Sequence, residues 1–386
     1  MKENWTYKKL GEVASFINGY PFKPSDWKEK GRPIIRIQNL TNPNAVFNLF
    51  DGEIDAKYII HKGDVLISWS ATLGVFEWSY DYDGLLNQHI FKVVFDKDDI
   101  DKSFFKYVVA SRINEMKEKV HGITMQHITK GEFDKTVIPV PPIETQSRIV
   151  SELDLLQSII DKQKAQLKEL DNLAQAVFYD MFGDPVENEK GWEVKRVEDL
   201  CEVSSAKRVL VEDVVESGIP FLRGTELTAL SKVVSSKDVK FTMFITPEHY
   251  ERVKSITGVP KKGDILIPSI NSEGITWVVD TDEPFYFKDG RVIWVHVNTD
   301  AFVSQYLSFV ISKILKANYT VLTSGATFLE LKLFIIRDLV VPIPPLSLQQ
   351  SFAAKIESIE KQKATITKSI EESQKLFDYT MDKYFG

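Results

Sequence analysis

The side chains able to bind metal or attack a substrate are thinly spread along this 386-residue chain. The histidines are His61, His89, His121, His127, His249 and His296, and none falls into a His-Glu-x-x-His or Cys/His spacing. A metal site needs such spacing so that ligands converge from one helical face or one tight loop. His121 and His127 stand six apart, too poorly phased for one face, and all six read as surface or hydrogen-bonded residues. Cys201 is the single cysteine, so it makes no intramolecular disulfide and no thiolate cage, and it reads as a small buried hydrophobe. Neither Gly-x-Gly-x-x-Gly nor Gly-x-x-x-x-Gly-Lys-Ser/Thr is present to cradle a phosphate. The pairs Pro141-Pro142 and Pro344-Pro345 follow Val140 and Ile343, not the Asn or Asp with which an adenine N6 methyltransferase holds a flipped base, and they read as hinges. Asp184 to Lys190 lacks the Asp then Glu-x-Lys order of many nucleases and reads as a solvated linker. The Gly-x-Ser-x-Gly elbow of hydrolases is missing as well. No catalytic residue, metal site or cofactor of its own is expected for this chain.

Binding is the remaining class, and the elements that would support it are repeated. Trp5 to Leu10 matches Trp192 to Val197, and Pro33-Ile34-Ile35-Arg36 with Asn39-Leu40 matches Pro220-Phe221-Leu222-Arg223 with Glu226-Leu227, all 187 residues apart. Lys62-Gly63-Asp64-Val65-Leu66-Ile67 matches Lys262-Gly263-Asp264-Ile265-Leu266-Ile267 at 200, with Gly74 against Gly274. Gly122-Ile123-Thr124 matches Gly325-Ala326-Thr327, Pro139 to Pro142 matches Pro342 to Pro345, and Phe182-Gly183 matches Phe385-Gly386, at 203. The growing offset places loop insertions in the second copy. Such internal periodicity fixes the architecture before any function is assigned.

Each copy opens with short apolar stretches bounded by Gly, Asn, Asp and Pro, such as Ile34–Ile37, Val65–Ile67, Ile275–Val279 and Val292–Val297, which predict strands. Helices are predicted from about Lys102 to Val120, with Phe104, Tyr107, Val108 and Met116 as core, and from about Ser304 to Ala317. After each proline cluster comes a heptad pattern. In the first copy it is Ile149, Leu153, Leu156, Ile160, Gln163, Leu167, Leu170, Ala174, Val177 and Met181; in the second it is Phe352, Ile356, Ile359, Lys363, Ile366, Ile370, Ser373, Phe377, Thr380 and Tyr384. Ser347 and Gln350 fit a capping box, and Gly183 and Gly386 sit where a C-terminal glycine cap belongs. A helix of about 37 residues is roughly 55 Å long at ~1.5 Å per residue. The expected fold is therefore α+β. Two β-rich domains, 1–142 and 192–345, are separated by long helices at 143–183 and 346–386 with a linker at 184–191. The helices are expected to pair as an antiparallel coiled coil whose seam holds Leu153, Leu156, Ile160, Leu167, Leu170, Ile356, Ile359, Ile366, Ile370 and Phe377, giving internal pseudo-two-fold symmetry.

Charge sets a condition on any anionic partner. The net formal charge is −7; residues 1–142 carry 19 basic and 19 acidic side chains, 192–345 carry 18 and 20, 143–191 carry 5 and 10, and 346–386 carry 6 and 6. No segment has the basic excess of a domain that binds DNA by phosphate neutralisation alone. Local patches or a basic partner would have to supply the attraction. No run of about 18 apolar residues occurs, and Met1-Lys2-Glu3-Asn4-Trp5 lacks a signal peptide's pattern, so a cytoplasmic location is expected.

In their order and repetition these motifs resemble the specificity subunits of type I restriction-modification systems, over essentially the whole chain. The residues carrying the resemblance are Trp5 to Val13 and, more loosely, Trp192 to Val203, then the Pro-x-x-Arg-x-x-x-Leu and Lys-Gly-Asp segments, the Gly-x-Thr loops, and the stretches Pro139 to Gln146 and Pro342 to Gln349. The resemblance implies a reader of a bipartite double-stranded DNA target, one half-site per target-recognition domain, with the helices setting the unread gap. It implies two methyltransferase subunits docked on those helices for adenine N6 methylation, with two restriction/translocase subunits able to join. S-adenosylmethionine, ATP and Mg would then belong to the partners.

Base reading calls for side chains with paired donors or acceptors, placed in loops. The candidates in the first domain are Arg36, Gln38, Asn39, Ser68, Ser70, Thr72, Asn87, Gln88, His89, Thr124 and Gln126; in the second they are Arg223, Thr225, Asn271, Ser272, Lys288, Arg291, Ser324 and Thr327. Arg36 and Arg223 recur, and two readers of different sequences should differ where they touch bases, so recurrent residues fit structural or phosphate roles better. A two-headed coiled-coil adapter binding only proteins is the competing expectation, and it accommodates the acidic balance directly.

Overall fold

The computed structural model describes residues 4–42, 44–70, 72–119, 130–210, 213–233, 235–297, 300–323 and 329–386. The chain forms two compact units, one of residues 1–161 with 371–386, the other of 162–370. The division runs through both long helices, so each unit takes a β-rich part together with a segment of each helix.

In the first unit, strand Val65–Ser68 is buried at every position. It lies inside a four-stranded antiparallel sheet ordered Ser15–Asn18, Ile90–Val94, Val65–Ser68, Gly74–Glu77, where both faces meet apolar side chains. A second sheet, ordered Asn48–Phe50, Arg32–Ile35, Gly84–Leu86, Ile59–Ile60, is mixed, with Ile34 beside Leu85 and Ile35 beside Leu86 in a parallel pair. A ribbon of Thr6–Lys9 with Val137–Val140 leads to the first long helix. Helix Lys102–Lys119 packs Phe104, Phe105, Val108, Val109 and Ile113 against Phe16, Phe91 and Phe133.

The second unit repeats this plan. Its antiparallel sheet runs Glu202–Ser204, Val292–His296, Ile265–Pro268, Trp277–Val278, and its mixed sheet runs Val214–Val215, Phe244–Ile245, Ile219–Leu222, Tyr286–Phe287. The parallel pair recurs as Phe221 beside Tyr286 and Leu222 beside Phe287. The offset grows from 187 to 200 across a stretch that holds helix Pro247–Thr257, begun by a Thr246 hydroxyl accepting from the His249 N–H and ended at Gly258 with φ +74°. Helix Ser304–Leu322 runs five residues beyond the predicted Ala317 and buries Tyr306, Leu307, Val310, Ile311, Ile314 and Leu315. Cys201 lies in this unit's core, where burial pushes its thiol up to about 11 and leaves it a poor nucleophile.

Both Lys-Gly-Asp segments make the same turn. Gly63 and Gly263 take φ of +85° and +96°, and the following aspartate accepts from a backbone N–H three residues back, that of His61 or Lys261. The copies then diverge. Asp64 pairs with Lys92 at 2.9 Å, whereas Asp264 accepts from the indole of Trp294, the residue at the matching strand position.

The long helices span Ile143–Phe182 and Leu346–Phe385, 40 residues each and so about 60 Å at ~1.5 Å per residue. Of the seam residues, Leu153, Ile160 and Ile359 are buried, and Leu156, Leu167, Leu170, Ile356, Ile366, Ile370 and Phe377 are half-buried. Within the first unit, Tyr384 donates to Glu152 at 2.6 Å and Phe377 meets Tyr107. Within the second, Gln163 donates to Ser369, Lys363 pairs with Asp171 at 2.9 Å, and Phe178 meets Phe352. Residue numbers fall along one helix as they rise along the other, so these segments of the second unit run antiparallel. Of the polar seam positions, Lys363 is matched by Asp171 and Glu360, and Gln163 is matched through its amide nitrogen only, its buried Oε1 having no partner among the described residues.

Linker residues finish the first helix. Gly183 has φ +75° and donates to the Tyr179 carbonyl, while Lys190 and the Trp192 indole donate to the carbonyls of Met181 and Phe182. The capping box read from Ser347 and Gln350 does not start the second helix, because that helix already begins at Leu346. A different polar residue anchors this end. Gln349, fully buried, donates to the Ala301 and Pro344 carbonyls and accepts from the Val303 N–H; Gln146 does the same with Pro141 and Asp101. Gln349→Ala is expected to cost about 1–3 kcal/mol by stranding those groups, and Gln146→Ala a similar amount. Urea titration of each variant checks this; values near zero would assign the anchor to the proline hinge alone.

Candidate nucleic-acid interface

The mixed sheet of the first unit ends in a cleft of about 620 Å³. Strand Arg32–Ile35 delivers Arg36 to its edge, and helix Ile37–Thr41 follows at once with Gln38. The parallel neighbour Gly84–Leu86 delivers Asn87, Gln88 and His89, held in place because the Asn87 N–H donates to the Ile35 carbonyl and the Gln88 N–H to that of Tyr20. Gly19 lets this approach happen: a Cβ there would stand 2.0 Å from the Asn87 carbonyl oxygen. His89 adopts φ +73° and turns the chain into strand Ile90–Val94.

Seven of the sequence candidates line this cleft: Arg36, Gln38, Ser70, Thr72, Asn87, Gln88 and His89. No carboxylate stands among the described residues that line it. That is the local departure from neutrality which the charge count of 1–142 conceals. Two candidates fall elsewhere. Ser68 is fully buried and donates to the Thr72 carbonyl, and Asn39, 5% exposed, accepts from the Arg36 N–H and donates to the carbonyls of Ala45 and Val46. Both side chains are committed to the fold. Thr124 and Gln126 lie outside the described residues.

Trp27 was not among the candidates, and it stands at the cleft with its ring 41% exposed and the Arg36 guanidinium 5.7 Å from its centre. Its sequence signal is a lone large aromatic in the polar run Ser25-Asp26-Trp27-Lys28-Glu29-Lys30. Phe22, Pro24, Ile34, Ile37 and Thr41 complete the described lining.

In the second unit the same corner is built and differently wired. Arg223 follows strand Ile219–Leu222, and Lys288 sits beside it through its N–H bond to the Leu222 carbonyl. Arg291 occupies the place of His89, since the Ser269 N–H donates to its carbonyl as the Trp69 N–H does to that of His89. The turn before it is one residue longer, Lys288 to Val292 against Asn87 to Ile90. Arg223 is gripped by Glu226 and Arg291 pairs with Glu330 at 3.1 Å. Thr225 also donates to Glu226. Asn271 is 2% exposed and closes a turn onto Ile275, while Ser272 is exposed beside it. Ser324 and Thr327 lie outside the described residues.

Burial alone would raise the Glu226 carboxyl, but hydrogen bonds from the Arg223 side chain and backbone, from Thr225 and from its own N–H outweigh it and hold the group at about 2. A depressed carboxyl contributes stability that is complete above the ordinary value of 4.5 and disappears as pH falls through about 2. Glu226→Gln should therefore flatten the acid sensitivity of the second unit between those limits. Denaturation midpoints measured across that window check it, and an unchanged slope would mean the ion pair adds nothing.

Among the described residues no group of three or more His, Cys, Asp or Glu could hold a metal ion, and no helix is long and apolar enough to cross a membrane.

Known proteins share this plan. The type I restriction modification DNA specificity domain matches residues 2–172 and again 189–374, which puts one domain on each repeat. The EcoBI specificity subunit of Escherichia coli is 23% identical over 394 residues, covering 93% of this chain and 81% of that protein. The MjaVIII specificity subunit of Methanocaldococcus jannaschii is 22% identical over 380 residues, covering 93% and 86%. Among solved structures, the S subunit of a type I system from M. genitalium aligns with TM-score 0.51 at 15% identity over 99% of this chain and 96% of that one. A chain from work on complex assembly and conformational transition of the type I R-M system aligns with TM-score 0.58 at 18% identity over 100% and 98%. With both domain matches covering nearly its whole length, the chain belongs to the family of type I restriction-modification DNA specificity subunits.

Proposed function

We propose that this chain reads a bipartite DNA sequence on behalf of a type I modification complex and performs no chemistry itself. Each repeat takes one half-site, and the long helices, paired as an antiparallel coiled coil that relates the repeats by an approximate two-fold axis, set the distance between them. The carrying observation is the cleft in the first unit, where arginine, amide and hydroxyl side chains converge with no carboxylate among the described lining residues. Paired donors and acceptors of that kind suit base edges in a groove. Two methyltransferase subunits dock on the helices and bring S-adenosylmethionine for adenine N6 methylation; two restriction/translocase subunits bring ATP and Mg, and the work is cytoplasmic. Leu173 and Leu376, the same heptad position in the two copies, are 47% and 52% exposed and supply matching apolar contacts for such symmetric partners.

The balance of −7 favours one competing reading, an adapter that binds only proteins. Sequencing of modified bases in host DNA separates the two. Deleting this chain should remove N6-methyladenine from one split motif. Exchanging residues 192–345 for another domain of the family should change one half of that motif only. An unaltered methylome on deletion would leave the adapter standing, and a change in both halves would refute one half-site per unit.

A further inference from the structure

Equivalent arginines stand at the same corner of both units and are held differently. Arg36 lies between strand Arg32–Ile35 and helix Ile37–Thr41, and Arg223 between strand Ile219–Leu222 and helix Gly224–Leu230. In each, the third helical residue accepts from the arginine's own backbone N–H, Asn39 at 3.0 Å and Glu226 at 2.9 Å. There the likeness ends. The Asn39 amide spends its donors on the Ala45 and Val46 carbonyls and carries no charge. Glu226 also takes the guanidinium at two points, Nε to Oε2 at 3.2 Å and Nη2 to Oε1 at 2.9 Å. The Arg36 guanidinium instead lies over Trp27 at the cleft, which has no acidic side chain among its described lining residues.

We propose that the residue at this third helical position decides, in each unit, whether the corner arginine is offered to DNA. Asn39 leaves Arg36 free to present two parallel N–H donors to a paired acceptor, and Glu226 occupies the Nε and Nη2 donors of Arg223, whose side chain stays 40% exposed. This rests on the DNA-reading function proposed above and adds a specificity-determining position to it. The paired acceptor is either the O6/N7 edge of guanine or two oxygens of one phosphate. Trp27 contributes a cation–π contact, the guanidinium carbon lying 5.7 Å from its ring centre, which restricts the side chain before it binds. One arginine in two copies thus has two fates, set by a neighbour three residues on.

The full-length protein serves for the test, as wild type, Asn39→Glu, Glu226→Gln and Arg36→Ala. The first readout needs no DNA. Labelling with p-hydroxyphenylglyoxal, followed by peptide mass spectrometry, should modify Arg36 several-fold faster than Arg223. Asn39→Glu should slow Arg36 to the rate of Arg223, and Glu226→Gln should quicken Arg223. Equal wild-type rates, or rates indifferent to both exchanges, overturn the proposal. The second readout is duplex binding by the complex with its methyltransferase subunit. Asn39→Glu and Arg36→Ala should each weaken binding at least tenfold, and the double variant should fall no further. A loss confined to duplexes carrying guanine at one position assigns a base contact, while a uniform loss with a salt slope smaller by about one assigns a phosphate. Wild-type binding by Asn39→Glu overturns this assignment. A wild-type complex that binds no duplex overturns the DNA-reading function itself.

Discussion

Phe352→Ala lowers the stability of the second unit by about 3–5 kcal/mol, the range for truncating a fully buried phenylalanine. Phe352 belongs to the second turn of the second long helix and has no exposed surface. Its ring centre lies 5.6 Å from Phe178, 5.3 Å from Phe182 and 5.4 Å from Phe309. Two of those rings come from the end of the first long helix and one from helix Ser304–Leu322. The cavity left by alanine cannot collapse easily, because three separate helices would have to close on it. Leu376→Ala removes an exposed side chain and should cost little. Hydrogen exchange resolved by peptide suits a chain with two units, and early loss of protection across 162–370 is the expected signature. A change below about 1 kcal/mol would mean that the ring cluster repacks.

Asp264→Ala is expected to cost the same unit about 3–5 kcal/mol, for an electrostatic reason. The 7% exposed carboxylate accepts from the Lys261 N–H at 2.9 Å, the Trp294 indole at 2.8 Å and the Val297 N–H at 3.2 Å. Alanine strands three donors, each costing about 1–3 kcal/mol when buried and somewhat less where water can enter. Asp64→Ala tests the contrast. There the partners are the His61 N–H and the ammonium of Lys92, which water can solvate in part, so about 1–2 kcal/mol is expected. Chemical denaturation of the two variants side by side decides, and equal losses would contradict the divergence of the two turns.

Much of the scaffold is legible because repetition and period report backbone geometry. The 203-residue match between heptads, the Lys-Gly-Asp turns and the Gly183 cap each became the element they predict. Helix Pro247–Thr257 left only a growing offset as its trace, although Thr246-Pro247 and Gly258 mark its ends. The site is legible as far as strand ends go: residues after Ile35 and Leu86 reach the same cleft because those strands are parallel neighbours. What stays hidden is how short polar side chains divide between fold and ligand. Asn39 and Ser68 have the same kinds of donor and acceptor as Gln38 and Thr72, and only tertiary neighbours decide which pair is consumed internally. Trp27 was hidden for the opposite reason, since an aromatic in a polar run carries no period.

The first unit closes its core with residues that emerge from the ribosome long after the rest of it. Phe385 packs on Phe104, and Tyr384 bonds to Glu152 across 232 positions of sequence. A nascent chain that has produced residues 1–161 therefore holds a cluster of phenylalanines and a helix face with no cover until 371–386 are made. Contacts of such separation slow folding and prolong the exposure of apolar surface. Chaperone demand during translation should consequently fall on the half synthesised first, and truncations near residue 370 should aggregate through it.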